Sequence, residues 1–133
     1  MSEEIVRQWL NAIVTTVEAR DIKAHMNLIS QRVTLRGVPG FETIGYADWY
    51  RQCEHEFANG VIKGIKYEGY KQVAATADRI VFKTYETVMA TDGNENAQGV
   101  EILLEKEADG QWRLVEERLL PHVEAARDQL IPA

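Results

Sequence analysis

The stretch Trp112-Arg113-Leu114-Val115-Glu116-Glu117-Arg118-Leu119-Leu120 predicts both a fold and a site for this chain. Trp112 and Leu114 indicate a strand with one buried face, because side chains alternate between the two faces of a strand. The same alternation turns Glu116 and Arg118 toward the buried face. A carboxylate and a guanidinium are costly to bury unless they pair with each other or bind a ligand. We therefore expect a polar site inside the protein at this strand.

Three more strands precede this one, separated by short turns rich in Asp, Asn and Gly. They span about residues 62–76, 79–91 and 97–107. The first half of the chain instead has helical spacing: apolar residues recur every three or four positions over 3–19 and 45–59. Between these two helices, Asp21 is suited to cap a short helix, and a strand follows over 31–38. Helices followed by an antiparallel sheet indicate an α+β fold, in which a curved sheet wraps a long helix.

The length of 133 residues indicates one domain, residues 1–133. Lys and Arg number 15 against 21 Asp and Glu, and this net charge of -6 argues against a nucleic acid partner. No apolar run approaches the length of a membrane span, and the acidic start Met1-Ser2-Glu3-Glu4 differs from a secretory signal. We expect a cytoplasmic protein with no membrane partner. The single cysteine, Cys53, lacks Cys or His neighbours at metal-ligand spacing, so no metal site is expected.

Three stretches of the sequence carry a resemblance to a known superfamily. They are Ala19 to Leu35, Tyr46-Ala47-Asp48-Trp49-Tyr50, and Asp109 to Val115. Over nearly its whole length the chain resembles the cone-shaped superfamily of nuclear transport factor 2 and ketosteroid isomerase. The resemblance implies a pocket between sheet and helices, and frequently a dimer through the outer face of the sheet. It does not imply one activity, because this fold hosts enzymes, binding proteins and association domains.

The turn between the last two strands determines which residues share the inner face. A three-residue turn with Gly110 in the left-handed region places Glu107 opposite Gln111. The pairs that follow are Leu104 with Leu114, Ile102 with Glu116, and Val100 with Arg118. A two-residue turn at Asp109-Gly110 is the alternative, but it would set three glutamates beside Trp112. We therefore prefer the longer turn.

Glu86 interrupts a second row of apolar residues, on the strand over 79–91. If Glu86 lies near Ile102, two strand spacings, about 10 Å, separate the backbones of Glu86 and Glu116, and Arg118 is long enough to reach between their carboxylates. Such a set can work as general acid and base, hold a polar substrate, or form a structural ion-pair network. The set is similar to the carboxylate-arginine-carboxylate triad of the limonene epoxide hydrolases. That similarity implies acid and base roles for Glu86 and Glu116, with Arg118 orienting them.

Aromatic residues are candidates for the wall of the pocket, where they would bind substrate. These candidates are Trp9, Tyr46, Trp49 and Tyr67. The alternative is that they are core residues, because an aromatic stripe at helical spacing usually packs in the core. We expect Cys53 to pack as a small apolar group and His25 to lie on the surface.

The opposite face of the sheet has an apolar centre and a charged rim, a pattern that suits a subunit interface. The apolar or uncharged positions are Tyr85, Thr87, Met89, Leu103, Val115 and Leu119, and the charged positions are Lys83, Glu101, Glu105, Arg113 and Glu117. We therefore expect a homodimer through this outer face.

The leading hypothesis is a pocket that binds a compact small molecule, apolar or of mixed polarity, without a metal or cofactor. Glu86, Glu116 and Arg118 would supply its polar contacts and the acid-base chemistry of an isomerase, cyclase or hydrolase. The alternatives are a non-catalytic association or accessory domain and a ligand carrier.

Overall fold

Four helices and five strands make up residues 2–132, the part of the chain that this computed structural model describes. In chain order they are α1 (Ser2–Ala19), α2 (Ile22–Met26), β1 (Ile29–Arg36), α3 (Tyr46–Asn59), β2 (Ile62–Ala75), β3 (Arg79–Ala90), β4 (Glu95–Lys106), β5 (Trp112–Leu119) and α4 (His122–Arg127). The predicted α+β arrangement is confirmed, and the predicted strand bounds agree with the structure to within two residues. No helix within the described residues combines the length and apolarity that crossing a membrane requires.

The five strands form one sheet in the order β1-β5-β4-β3-β2. β1 runs parallel to β5, and the other neighbouring strands are antiparallel. Helix α1 packs on one face of this sheet through Val6, Trp9, Ile13 and Val17, which recur at helical spacing and are at most 5% exposed. Burying each such side chain stabilises the fold by about 1.5–3 kcal/mol, so this helix anchors the core.

A short connection turns the chain from α1 into the sheet. Asp21 accepts a hydrogen bond at Oδ1 from the backbone N–H of Ala24 (3.1 Å), so it caps α2 as predicted. The indole N–H of Trp9 donates to the backbone oxygen of Leu28 at 3.1 Å. These contacts fix α2 and the start of β1 against α1.

The turn between β4 and β5 has the predicted form. The N–H of Glu107 donates to the oxygen of Gln111 (2.9 Å), and Gly110 has a φ of +83°. Leu104 pairs with Leu114, also as predicted. Up to this point the register derived from the sequence is confirmed.

Beyond Leu114 the predicted register is wrong, because Val115 forms a β-bulge. The observed pairs are Leu103 with Glu116, Ile102 with Glu117, and Val100 with Leu119. One extra residue in one strand exchanges the faces of every residue after it. Glu117 therefore points to the inner face, whereas Glu116 and Arg118 point away from it.

The C-terminal segment covers part of the outer face of the sheet. Leu120, Ala125 and Leu130 are buried there in a second, small apolar cluster, packed against Tyr85. Lys83 holds this segment through Asp128 at 2.8 Å. The homodimer remains a prediction, and its interface would have to lie outside this covered strip.

Two residues that the sequence placed on the outer face lie elsewhere. Leu119 packs against the main core, and Glu117 is only 7% exposed on the inner side. The bulge at Val115 accounts for both corrections, since both residues follow it.

Candidate functional site

A cavity of about 140 Å³ lies between the inner face of the sheet and helices α1, α2 and α3. Most of its wall is apolar: Ile13, Val17, Ile29, Ile62, Ile65, Val88 and Leu114. An engineered apolar cavity of about 150 Å³ in another protein binds benzene. This cavity is therefore large enough for a molecule with a single six-membered ring.

Four of the residues that the sequence singled out line this cavity: Trp9, Trp49, Tyr67 and Glu86. The other three lie elsewhere. Glu116 forms an ion pair with Arg36 of β1, and its side chain is 38% exposed. Arg118 and Tyr46 also lie outside the lining of the cavity.

Arg118 lies on the outer side of the sheet. Its guanidinium donates to Glu101 (3.2 Å) and to Glu124 of α4 (2.8 Å). The predicted triad with Glu86 therefore does not form, because the sheet separates the two side chains. Tyr46 lines a different, surface depression together with Tyr50.

Glu117 is the inward-facing acid of β5, in the place that the sequence assigned to Glu116. It is 7% exposed and lines the cavity. Among residues 2–132 its carboxyl group takes part in no side-chain hydrogen bond or ion pair. Every fully buried side-chain N or O atom described there has a partner, so the carboxyl oxygens remain accessible to a water molecule or a ligand atom. Burial raises the pKa of Glu117 well above its ordinary value, and the negative charge of Glu86 raises it further. The group therefore keeps its proton to a higher pH than an exposed glutamate does.

Glu86 and Tyr67 form a fixed pair on neighbouring strands. They are opposite each other in the β2–β3 ladder, and the Tyr67 hydroxyl donates to Oε2 of Glu86 at 3.0 Å. Burial raises the pKa of Glu86, while the hydrogen bond from Tyr67 lowers it and offsets part of this rise. The pKa of Tyr67 is raised well above its ordinary value, first by burial and then by the charges of Glu86 and Glu117.

Two carboxyl groups that line one apolar cavity do not ionise independently. Tyr67 donates a hydrogen bond to Glu86 and so favours its charged form, whereas Glu117 has no such donor among the described residues. Glu86 is therefore the first of the two to lose its proton, and Glu117 is the one that retains it.

His25 is the functional candidate that the sequence prediction missed. The expectation of a surface position is wrong: the ring is 6% exposed, stacks edge-on against Phe57 of α3 with centroids 5.3 Å apart, and lines the cavity. The spacing within α2 gave no sign of this position, because it depends on how α3 packs against α2. Burial lowers the pKa of His25 to about 4, so the ring is neutral at pH 7.

Hydrogen bonds determine which nitrogen of His25 carries the proton. The Thr16 hydroxyl has one proton and two contacts, with the backbone oxygen of Ile13 at 3.0 Å and with Nδ1 of His25 at 2.9 Å. We assign both contacts as hydrogen bonds, which requires the hydroxyl to donate to Ile13 and to accept from Nδ1. Nδ1 is therefore protonated, and Nε2 carries a lone pair. Nε2 makes no hydrogen bond within the described chain, and because every fully buried side-chain N or O atom described there has a partner, Nε2 remains accessible to a water molecule or a ligand atom. The ring is thus arranged to accept a proton or a hydrogen bond from a ligand.

Cys53 lines the cavity but is not a nucleophile at neutral pH. Burial, with a smaller contribution from Glu56, raises the pKa of its thiol to about 12. Among residues 2–132 no group of three or more His, Cys, Asp or Glu side chains has the arrangement of a metal site. The candidates for proton transfer in the cavity therefore include Glu86, Glu117 and Nε2 of His25.

No family model and no curated protein match this chain. Solved structures do match it. A nuclear transport factor 2-like protein of unknown function from Pseudomonas putida KT2440 has a TM-score of 0.70 and 14% identity, over 89% of this chain and 84% of its own. A proposed dehydratase of the same structural class from Streptomyces avermitilis has a TM-score of 0.66 and 19% identity, over 89% and 94% of the two chains.

A third solved structure also matches this chain over most of its length. It is a protein of unknown function with a cystatin-like fold from Nostoc punctiforme PCC 73102, with a TM-score of 0.67 and 12% identity over 88% of both chains. Structural similarity at sequence identities this low establishes a common fold and leaves the function open. The chain therefore has the cone-shaped, cystatin-like fold of the nuclear transport factor 2-like proteins, as the resemblance in its sequence implied.

Proposed function

We propose that the cavity binds a compact, mainly apolar molecule that carries a carbonyl or hydroxyl group, and that Glu117 and His25 exchange protons with it. One observation carries the proposal: two side chains that can transfer protons line the same cavity. A carboxyl group whose pKa is raised by burial and a neutral imidazole nitrogen, both without hydrogen-bond partners in the described chain, line a cavity whose wall is otherwise mostly apolar. A ligand would supply the missing partners.

Charges elsewhere in the protein support a ligand over a structural role for Glu117. On the outer face, Lys83 contacts both Glu124 (3.1 Å) and Asp128 (2.8 Å), and Arg118 also contacts Glu124. These contacts lower the pKa of Glu124 to about 2. Glu124 is thus held by two cations, whereas Glu117 contacts none within residues 2–132.

The reaction class follows from what each group can donate or accept. With a ketone bound, the Glu117 carboxylic acid would donate a proton to the carbonyl oxygen while Nε2 of His25 takes a proton from the adjacent carbon. The C–H electron pair becomes the C=C bond of an enol. When the ketone also carries a C=C bond between its second and third carbons from the carbonyl, this enol is a dienol, and His25 returns its proton to the third carbon. The O–H proton returns to the Glu117 carboxylate as the carbonyl re-forms, so the C=C bond has moved next to the carbonyl and both groups are restored.

Dehydration uses the same two groups. If a hydroxyl lies on the second carbon from the carbonyl, Glu117 protonates it, the C–O bond breaks and water leaves as the C=C bond forms. The proton taken up by His25 then returns to the Glu117 carboxylate, which restores both groups. The proposed dehydratase among the similar structures is consistent with this class of reaction.

Exchange of hydrogen for deuterium tests the proposal without knowledge of the natural substrate. Cyclohexanone has one six-membered ring and a carbonyl group, and NMR in D2O records the loss of its α-hydrogens. We expect exchange faster than in buffer alone, and a decrease of about 100-fold or more in Glu117→Gln or His25→Gln. Glu116→Gln is the matched control, because this neighbour faces outward and should exchange at the wild-type rate.

The same experiment separates the proposal from its alternatives. If cyclohexanone binds and exchanges no faster than in buffer, acid-base catalysis is contradicted and a ligand carrier is favoured. If neither exchange nor binding occurs, the cavity is structural and an association domain is favoured.

A further inference from the structure

A surface groove of about 620 Å³ lies beside the cavity, between α3 and the segment 37–45 that follows β1. The groove and the cavity share three wall residues, Trp49, Cys53 and Glu56, which lie on one stripe of α3. One side of this stripe faces the cavity and the other faces the groove. The two spaces therefore adjoin along these side chains of α3.

The floor of the groove also adjoins the proposed acid. Leu35 of β1 lines the groove and is the register partner of Glu117 on β5. Partners on adjacent strands lie about 4.8 Å apart. A ligand whose reacting group contacts Glu117 would thus have the beginning of the groove one strand away.

The segment 37–45 is held in place by backbone contacts. Leu35 and Ile44 exchange two hydrogen bonds, at 2.9 and 3.0 Å. Between them, the N–H of Phe41 donates to the oxygen of Val38 (3.1 Å), and Gly40 has a φ of +86°, which closes a tight turn. This turn carries Phe41 to the groove with 65% of the residue exposed. A large apolar side chain at that position is available to cover a bound apolar group.

We infer that the groove holds the apolar extension of the same ligand whose reacting end occupies the cavity. The inference rests on the proposed function and specifies its substrate class: an elongated, mainly apolar ketone or phenol, with one ring in the cavity. The shared wall supports this occupant. The charges of the lining support it too: Asp48 and Arg51 pair with each other, and Glu56 accepts a hydrogen bond from Gln52 at 3.2 Å, so the residues that line the groove offer no unpaired cation to an anionic partner.

A series of 4-alkylphenols tests this inference. Phenol fits the cavity alone, whereas 4-propylphenol and 4-hexylphenol would extend into the groove. NMR titration of the Trp49 indole N–H, assigned with Trp49→Phe, gives each Kd. We expect affinity to rise about fourfold for each methylene that the groove buries.

Substitutions of exposed apolar residues test whether the alkyl chain binds in the groove. Phe41→Ser should weaken binding of 4-hexylphenol about tenfold and leave the affinity for phenol unchanged. Because Phe41 is exposed, the substitution should leave the fold intact. Val123→Ser is the matched control, because Val123 is an exposed apolar residue (79%) on α4. It should leave every Kd unchanged.

Each result has a distinct meaning. Equal affinity across the series would contradict binding of the alkyl chain in the groove, and so would equal weakening of phenol and 4-hexylphenol binding by Phe41→Ser. Either result would leave the proposed function unaffected. A chain-length effect that persists while Glu117→Gln leaves phenol binding unchanged would support the groove and contradict the role of Glu117. No binding by any member would contradict both.

Discussion

The Thr16 hydroxyl accepts a hydrogen bond from Nδ1 of His25 and thereby fixes the ring with its Nε2 lone pair free. Thr16→Val keeps the shape of the side chain but leaves the buried Nδ1–H without an acceptor. We expect a loss of about 1–3 kcal/mol in the free energy of unfolding, measured by urea denaturation. α-Hydrogen exchange should also slow, since the ring can then move its proton to Nε2. Thr15→Val, on the exposed side of the same helix, is the control and should change neither quantity.

His25 should also set part of the acid sensitivity of the fold. Its pKa is about 4 in the folded protein and about 6.5 when unfolded, so the unfolded chain takes up the proton first as pH falls. The stability that neutral His25 provides is complete above pH 6.5 and is lost progressively between pH 6.5 and 4. Each pKa unit corresponds to about 1.4 kcal/mol, so the loss should approach about 3 kcal/mol.

Denaturation curves of wild type and His25→Gln between pH 4 and 7 measure this effect. The variant cannot titrate at this position, so its stability should fall less steeply over that range. Parallel curves for the two proteins would show that the ring is not held neutral by burial.

Glu117 should produce the opposite dependence on pH. Its raised pKa means that the folded state favours the protonated form, so stability falls as pH rises from the ordinary value of 4.5 through the folded-state pKa. Glu117→Gln removes the titrating carboxyl group and therefore this loss of stability at high pH. We expect the variant to exceed wild type by about 0.5–2 kcal/mol at pH 8, with the difference shrinking toward pH 4. A destabilised variant at pH 8 would instead indicate a structural partner for the carboxylate.

The sequence predicts the fold well because the strands of this protein are long, alternate regularly and end at turns rich in Gly and Asp. The inner face of β5 was harder to predict. Leu114 and Leu119 both pack inward although they are separated by an odd number of positions, which a regular strand does not allow. A bulge resolves this conflict, and the apolar pairing of Val100 with Leu119 is the sequence feature that could have revealed it.

His25 was beyond sequence reasoning for a different reason. Its burial depends on Phe57, which is 32 positions later in the chain and packs against the ring from α3. Alternation and helical spacing describe single elements, whereas this contact depends on how two helices pack. The sequence thus located the proposed acid to within one residue and did not locate the proposed base.

The outer face offers a test of how tightly α4 is held. A side chain at Gly99 would place its Cβ 2.9 Å from Cβ of Ala125, closer than packed atoms approach. Gly99→Ala should therefore displace α4 and lower the free energy of unfolding by about 1–3 kcal/mol. Trypsin should also cleave after Arg127 faster than in wild type. Gly64→Ala is the control, because the nearest atom there is the flexible methyl of Met89 at 3.3 Å. Equal stability of the two variants would show that α4 is not packed tightly on β4, which would leave more of the outer face free for the predicted dimer.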